Sequence, residues 1–367
     1  MVKKSSNFDY ALLGITLALL AVGLVSLYSA SAVESFKHSG NSTYYIQKQL
    51  LSGVVFGLIG MYVASRIDYH FWQKNLPLLV VISLGLLAAT KLTPLGVSAG
   101  GASRWLNLGF TTFQPAELAK IVLVFYIAAW IGKKGKAIND FTLGLLPSLI
   151  IVALFAGMIL WQPDFGTMSV LVGVSFFMLI VGGVNWKYLF WAAISGFLLT
   201  YAIVHFEPYR LKRITAFLNP ASDPQGISYH VNQALLAVGS GGLWGYGYGL
   251  SRQKHSYLPE VMGDSIFAVT AEELGFLRIT AILALFVAFL IRGIALAKKA
   301  PDDFGRLTAF GITAWIALQA IINIGAMVKL LPLTGIPLPF FSYGSSAMLI
   351  NLSAVGVLLN ISRQAKT

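Results

Sequence analysis

The chain has 367 residues, of which 57% are hydrophobic and 11% charged, with a mean hydropathy of +0.75 and a formal charge of +12. A soluble domain carries roughly 25% charged residues, so this composition excludes one and points to an integral membrane protein. The apolar runs are continuous and about 20 residues long, the length of a membrane-crossing helix, which excludes a β-barrel and gives an all-α fold class.

Cysteine is absent, so no disulfide and no thiolate metal site exists, and redox chemistry says nothing about compartment. The basic residues fall mostly between apolar runs, as expected from orientation in a membrane rather than from nucleic-acid binding.

Lys3 and Lys4 precede the first apolar run, and no small-residue cleavage site follows it, so that run is expected to be a retained span. In chain order the spans are expected at 10–30, 46–65, 76–90, 115–131, 143–160, 167–182, 188–205, 265–291, 307–328 and 343–361. Together they form one integral-membrane domain, 1–367. Ten spans put both termini on one side. That side receives about fourteen Lys and Arg, Lys133, Lys134, Lys136, Lys298, Lys299 and Arg306 among them, against about five opposite, so it is expected to be cytoplasmic. The loops 91–114, 206–263 and 329–342 then face outward. The loop 206–263, between spans seven and eight, is long enough without an apolar span to be functional.

The second outer loop carries Arg104-Trp105. Span four opens with Gln114-Pro115-Ala116-Glu117-Leu118-Ala119-Lys120, where Pro115 suits a first helical position and Glu117 and Lys120 are i,i+3 neighbours on one face. Two unpaired charges near a membrane are costly, so these two are expected to pair with each other.

Within 206–263 lie Arg210, Lys212 and Arg213, the turn signals Asn219-Pro220 and Asp223-Pro224-Gln225-Gly226, and a short amphipathic helix over 227–238 with His230. The glycine run GSGGLWGYGYG has no preceding strand and no Lys-Ser/Thr in P-loop register. It reads as tight turns against Trp244, Tyr246 and Tyr248, aromatics suited to the membrane interface or to stacking on sugar rings.

The segment 251–275, SRQKHSYLPEVMGDSIFAVTAEELG, then runs from polar loop into an apolar helix that carries Asp264 at its start and Glu272-Glu273 inside. Ionisable groups at such a place mark a functional site, the structural alternative being a helix cap. Helical geometry separates Asp264 from Glu272 and Glu273, so the three acids form no single cluster. Glu272 needs partners from other spans, and Lys120 is one candidate. Arg278 is left unexplained. Arg104, Lys329 and the 210–213 cations lie on the same side as Asp264, which suggests an anionic ligand.

With these residues in view the chain resembles the SEDS family of bacterial cell-wall synthesis, and its division branch more than its elongation branch. The resemblance spans nearly the whole chain. It rests on ASRWLNLG at 102–109, QPAELAK at 114–120, PDFGT at 163–167, NPASDPQG at 219–226 and QALLAVGSGGLWGYGYGLSRQKHSYLPEVMGDSIFAVTAEELG at 233–275. TGIPLPFFSYGSS at 334–346 and the closing LLNISR complete it. Departures are Met262-Gly263 before Asp264, Ser345 in place of a glycine and Arg278 in place of a glycine.

The resemblance implies a polytopic peptidoglycan glycosyltransferase of the bacterial plasma membrane that polymerises lipid II. It implies work beside a class B penicillin-binding protein transpeptidase and other divisome or elongasome membrane proteins. It makes Asp264 the essential acid and matches Arg104, Glu117 and Lys120 to other functionally important positions; these three, with Lys329, Trp244 and Ser342, are the substrate-binding candidates. Direct displacement of a diphosphate needs one base and electrostatic help for the leaving group, from cations or from a divalent ion, Mg or Mn, held partly by Asp264. A lipid II flippase and a non-catalytic division scaffold are the competing functions.

Overall fold

The computed structural model describes residues 8–99, 102–109, 111–205, 207–219, 226–255 and 257–365. Its helices follow the apolar runs. Helix α1 (Tyr10–Ser39) begins where the Asp9 carboxylate accepts the Leu12 amide at 2.9 Å and ends at Gly40, which is left-handed at φ 71°. The second run is one stretch, Tyr44–Arg66, in which α2 (Tyr44–Gln49) and α3 (Phe56–Arg66) are joined through a wider π-helical segment, Leu50–Val55.

There follow α4 (His70–Lys74), α5 (Leu76–Leu92), α6 (Pro115–Lys134), α7 (Leu146–Trp161), α8 (Phe165–Val181), α9 (Trp186–His205) and α10 (Pro208–Leu218). The chain continues through α11 (Ile227–Ser240), α12 (Ile266–Lys299) and α13 (Asp303–Met327) to α14 (Ser345–Gln364).

Each of the ten expected segments falls on a helical stretch. Among the described residues, seven stretches are long and apolar enough to cross a membrane, while α5 and α8 are apolar but span 17 residues each.

Two expectations need correction. The chain is not purely helical, because the loop after α5 folds into a small antiparallel sheet of β1 (Gly96–Ala99), β2 (Ala102–Asn107) and β3 (Thr112–Phe113). Strand β1 pairs with β2 from Gly96↔Leu106 to Ala99↔Ala102. The loop 206–263 also holds two helices, α10 as well as the expected α11. The motif NPASDPQG lies mainly outside the described residues, as do Lys3, Lys4 and the Arg210 side chain.

The core is built around α13 and α6, with Trp315, Ile316, Ala119 and Leu123 fully buried. Between α3 and α14 small residues permit close backbone approach: a Cβ at Gly356 would overlap Met61, and one at Gly57 would overlap Leu352.

Helix α12 is broken inside its span. Gly275 has φ 74° and ψ 175°, so residues 266–274 form a separate N-terminal half-helix. The backbone groups freed by the break pair with the glycine run. Tyr246 and Gly247 amides donate to the Glu272 and Glu273 carbonyls at 3.1 and 3.0 Å, and Phe276 and Leu277 amides donate to Gly242 and Leu243 carbonyls at 2.8 and 3.2 Å. Within a membrane such groups must find protein partners, and here the glycine turn supplies them. Only glycine fits the contact, since a Cβ at Gly245, itself at φ 76°, would overlap the Glu273 carbonyl, and one at Gly275 would overlap the Gly245 amide.

Candidate active site

Asp264 stands in the turn that leads into the N-terminal half-helix of α12. The Glu260 carbonyl accepts the Gly263 and Ser265 amides at 2.9 and 3.3 Å, which closes the turn. The segment before α14 clasps it: Tyr343 N donates to Met262 O at 2.8 Å, and Ser342 Oγ donates to Gly263 O at 2.6 Å. Asn323 of α13 donates through Nδ2 to the carbonyls of both Asp264 and Ile336, each at 2.8 Å. Asn323 thus holds the main chain of Asp264 itself while the other bonds fix the residues on either side of it, the arrangement a positioned group needs.

The Asp264 side chain is buried, and its Oδ1 has no hydrogen-bond partner. His230 Nε2, on α11, lies 4.0 Å from that oxygen. The same Nε2 meets Ser265 Oγ at 2.6 Å, while Ser265 Oγ donates to Pro259 O at 2.8 Å, so Nε2 carries the hydrogen. On the other side, Asp264 Oδ2 and Arg213 Nη1 both come within 3.9 Å of where a Gly335 side chain would begin. Arg213 Nη1 in turn donates to Leu333 O at 3.0 Å.

Burial is the larger influence on the Asp264 carboxyl and pushes its pKa up to about 6, against a smaller downward pull from Arg213. Burial pushes His230 down to about 4, helped by Arg213 and opposed by Glu260, so it is neutral near pH 7. Glu260 is raised by burial and then by the Asp264 charge.

The expected pairing of Glu117 with Lys120 is present: Oε1 and Nζ are 3.0 Å apart, with both side chains at most 4% exposed. Lys120 Nζ also donates to Gln319 Oε1 at 2.8 Å and sits 4.7 Å from the centre of the Trp315 ring. Gln319 Nε2 continues to Pro337 O at 2.9 Å. The pair therefore reaches the Asp264 surroundings through Gln319 and the 336–342 segment, with no direct contact between Lys120 and Asp264.

Lys120 is not the partner of Glu272, which corrects the sequence expectation. The break at Gly275 brings the glycine run beside the last turn of the half-helix. Glu272 accepts the Ser251 hydroxyl and the Arg252 and Gln253 amides, the latter two at 3.1 and 3.3 Å. Glu273 pairs with Lys254 at 2.8 Å. As expected, neither acid joins Asp264. Arg278, unexplained from sequence, donates through Nη1 to Trp244 O at 2.9 Å, across the break.

The remaining candidates take different positions. Arg104 on β2 donates to the Gln162 and Pro163 carbonyls and fastens the small sheet to the α7–α8 turn. Lys329, left-handed at φ 57°, follows α13 and is half-buried. Trp244 is exposed. Ser342 is buried and acts on backbone, accepting Leu338 N at 2.8 Å while donating to Gly263 O.

Glu260, Asn323 and Gln319 were not singled out in the sequence, and His230 was treated there only as part of an amphipathic helix. Only Glu260 carried a usable signal, four residues before Asp264 in the same turn. Among the described residues no group of three or more His, Asp or Glu side chains is arranged to hold a metal ion. A divalent ion takes six or more ligands, and among the described residues Asp264 stands in no closed cage of such side chains.

The comparisons with known proteins agree with one another. The family model of FtsW/RodA/SpoVE cell cycle proteins matches residues 10–367. Stage V sporulation protein E of Bacillus subtilis is 42% identical over 366 residues, covering 100% of both chains. The probable peptidoglycan glycosyltransferase FtsW of Trichlorobacter lovleyi is 39% identical, covering 98% of this chain and 94% of its own. Among solved structures, a chain from a study of polymerization and crosslinking by a peptidoglycan synthase complex superposes with a TM-score of 0.79 at 28% identity, covering 97% of this chain and 98% of its own. The rod shape determining protein RodA of Thermus thermophilus superposes with a TM-score of 0.70 at 26% identity and 98% coverage of each. With a matching model over nearly its whole length and full-length relatives well above 30% identity, this chain belongs to the FtsW/RodA/SpoVE family of cell cycle proteins.

Proposed function

We propose that the protein is a peptidoglycan glycosyltransferase that polymerises lipid II into β-1,4 glycan strands, with Asp264 as the general base. The observation that carries this reading is the buried Asp264 carboxylate, whose Oδ1 lacks a hydrogen-bond partner while Asn323 holds its carbonyl and the turn around it is tied at Met262, Gly263 and Ser265. A buried acceptor without a partner is costly, and a substrate hydroxyl would satisfy it.

In the reaction, the 4-hydroxyl oxygen of one sugar attacks the anomeric carbon of the α-linked disaccharide on undecaprenyl diphosphate. The new carbon–oxygen bond forms on the opposite face as the bond to the diphosphate breaks, and the diphosphate leaves with the electron pair. Asp264 takes the hydroxyl proton. No second acid is required, because a diphosphate leaves readily once its charge is countered. Arg213, beside Asp264 at Gly335, is the cation best situated for that task. A magnesium or manganese ion would add charge neutralisation there, with Asp264 as a protein ligand. Lys120 serves the framework, since its ammonium is enclosed by Glu117, Gln319 and Trp315.

The same reading has ten spans, both termini in the cytoplasm and Asp264 facing outward, in accord with the distribution of Lys and Arg. Its partner is a class B penicillin-binding protein, by analogy with the peptidoglycan synthase complex to which the chain is similar. The test is to supply lipid II in detergent to the purified protein with that partner. Glycan polymer formed without any sealed compartment, and lost in Asp264→Asn, is the expected result. Absence of polymer together with lipid II translocation in sealed vesicles would favour a transporter instead.

A further inference from the structure

The half-helix that begins beside Asp264 is held at its other end by buried charges. Residues 266–273 are buried without exception. At their far end Glu273 Oε1 meets Lys254 Nζ at 2.8 Å, with side-chain exposures of 3% and 4%. Glu273 Oε1 also accepts the Ser29 hydroxyl of α1 at 2.6 Å and the Ser251 amide at 3.3 Å. Lys254 Nζ completes its shell with Ser29 Oγ at 2.9 Å and Gly249 O at 2.8 Å. Glu272, one residue earlier, holds the same turn by its amides. Helix α1, the 249–254 turn and the half-helix therefore meet at one ion pair.

Neither charge is presented to substrate, since both side chains are at most 4% exposed. A buried ion pair is also a poor source of stability, because apolar residues of similar volume usually do as well or better. What such a pair does supply is a defined geometry. A nine-residue helical segment is about 13 Å long and stiff, so constraint at one end is transmitted to the other. The chain from Lys254 to Asp264 is tied to both ends of this rod, by the Lys254 pair at one end and by the Glu260–Ser265 turn at the other.

We propose that Lys254 and Glu273 are a positioning pair for the reaction: their ion pair sets the depth and rotation of the half-helix and thereby holds the Asp264 carboxylate at the acceptor hydroxyl. This rests on the reading of Asp264 as the base. Displacement of a reacting group by about 1 Å costs on the order of 10²-fold in rate, so even a small slip of the rod would be visible in kcat.

The experiment uses the full chain with its transpeptidase partner and lipid II, comparing wild type, Lys254→Arg, the neutral pair Lys254→Met/Glu273→Gln, and Asp264→Asn. The neutral pair leaves no uncompensated charge, and Lys254→Arg keeps the charge while changing the shape of its head, so at least one folded variant is secured. Thermal unfolding and lipid II KM are expected to stay near wild type, with kcat lowered about 10- to 100-fold in the neutral pair and less in Lys254→Arg. In an Asp264→Asn background the same changes are expected to cost nothing further, because the group they position is gone. Wild-type kcat in a folded neutral pair or in Lys254→Arg, with Asp264→Asn inactive, overturns the positioning role alone. Activity retained in Asp264→Asn overturns the parent reading instead. Loss of KM and kcat in step with loss of folding would mark the pair as a structural element only and so overturn the proposal.

Discussion

His230 Nε2 stands 4.0 Å from Asp264 Oδ1 yet hydrogen-bonds to the neighbouring Ser265 hydroxyl, so the two side chains face each other without being bonded. The neutral imidazole places no charge beside Oδ1.

This arrangement predicts the pH profile. Burial holds the Asp264 carboxyl at about 6, and a protonated carboxyl cannot act as a base, so kcat should rise with pH through about 6 and then level off. His230, held near 4, should contribute no limb of its own in that range. The profile of His230→Gln measured with lipid II should therefore keep its inflection near 6. Disappearance of the limb in that variant would assign it to the histidine.

The same burial makes Asp264 a cost to folding. Its native carboxyl titrates about two pH units above the ordinary 3.8, so the folded state keeps a proton that the unfolded state has released. The stability contribution of Asp264 is then fully present below about pH 4 and lost as pH rises to about 6. At pH 7 Asp264→Asn should unfold later than wild type, by up to about 3 kcal/mol, while polymerisation falls on the order of 10²–10⁴-fold. Calorimetry across pH 4 to 8 checks the first part, since the gap between the two proteins should close toward pH 4.

Glu117 and Lys120 should behave as one unit. Lys120→Met leaves a buried carboxylate without its partner and should cost about 3–5 kcal/mol, whereas Glu117→Gln/Lys120→Met should recover much of that loss. A double-mutant cycle on thermal stability measures the coupling, and strictly additive losses would rule it out.

Gly275→Ala should be far more damaging than a glycine change in an ordinary helix. It forces a side chain onto a left-handed residue, at about 1–2 kcal/mol, and drives a Cβ into the Gly245 amide. Gly85→Ala in α5, where nothing lies within 4 Å of the new atom, should be neutral or stabilising. Expression and unfolding of the two variants side by side provide the measurement.

Much of the site was legible in the order of residues. Asp264 announced itself as an acid at the mouth of an apolar run, and Glu117–Lys120 as opposite charges three apart on a helix. The partners of Glu272 and Glu273 were hidden for a definite reason. Glu-Glu-Leu-Gly-Phe reads locally as uninterrupted helix, and one glycine costs only about 1 kcal/mol there. The break at Gly275 becomes visible only once the glycine run, some thirty residues earlier, is seen to supply its missing hydrogen bonds. The small sheet was hidden by the same kind of shortfall, with strands of two to six residues too short to show a period. Asn323 and Gln319 lie on the apolar α13, where an amide carries no charge to draw notice.

The break in α12 also has a direction in time. A chain emerging from the ribosome presents 242–247 before 272–277, so the carbonyls and amides that complete the interrupted ladder are already synthesised when the interrupted helix arrives. A straight α12 would leave the Gly242 and Leu243 carbonyls and the Tyr246 and Gly247 amides without these partners. The two segments therefore complete each other, and a change that straightens one leaves the backbone of the other unsatisfied.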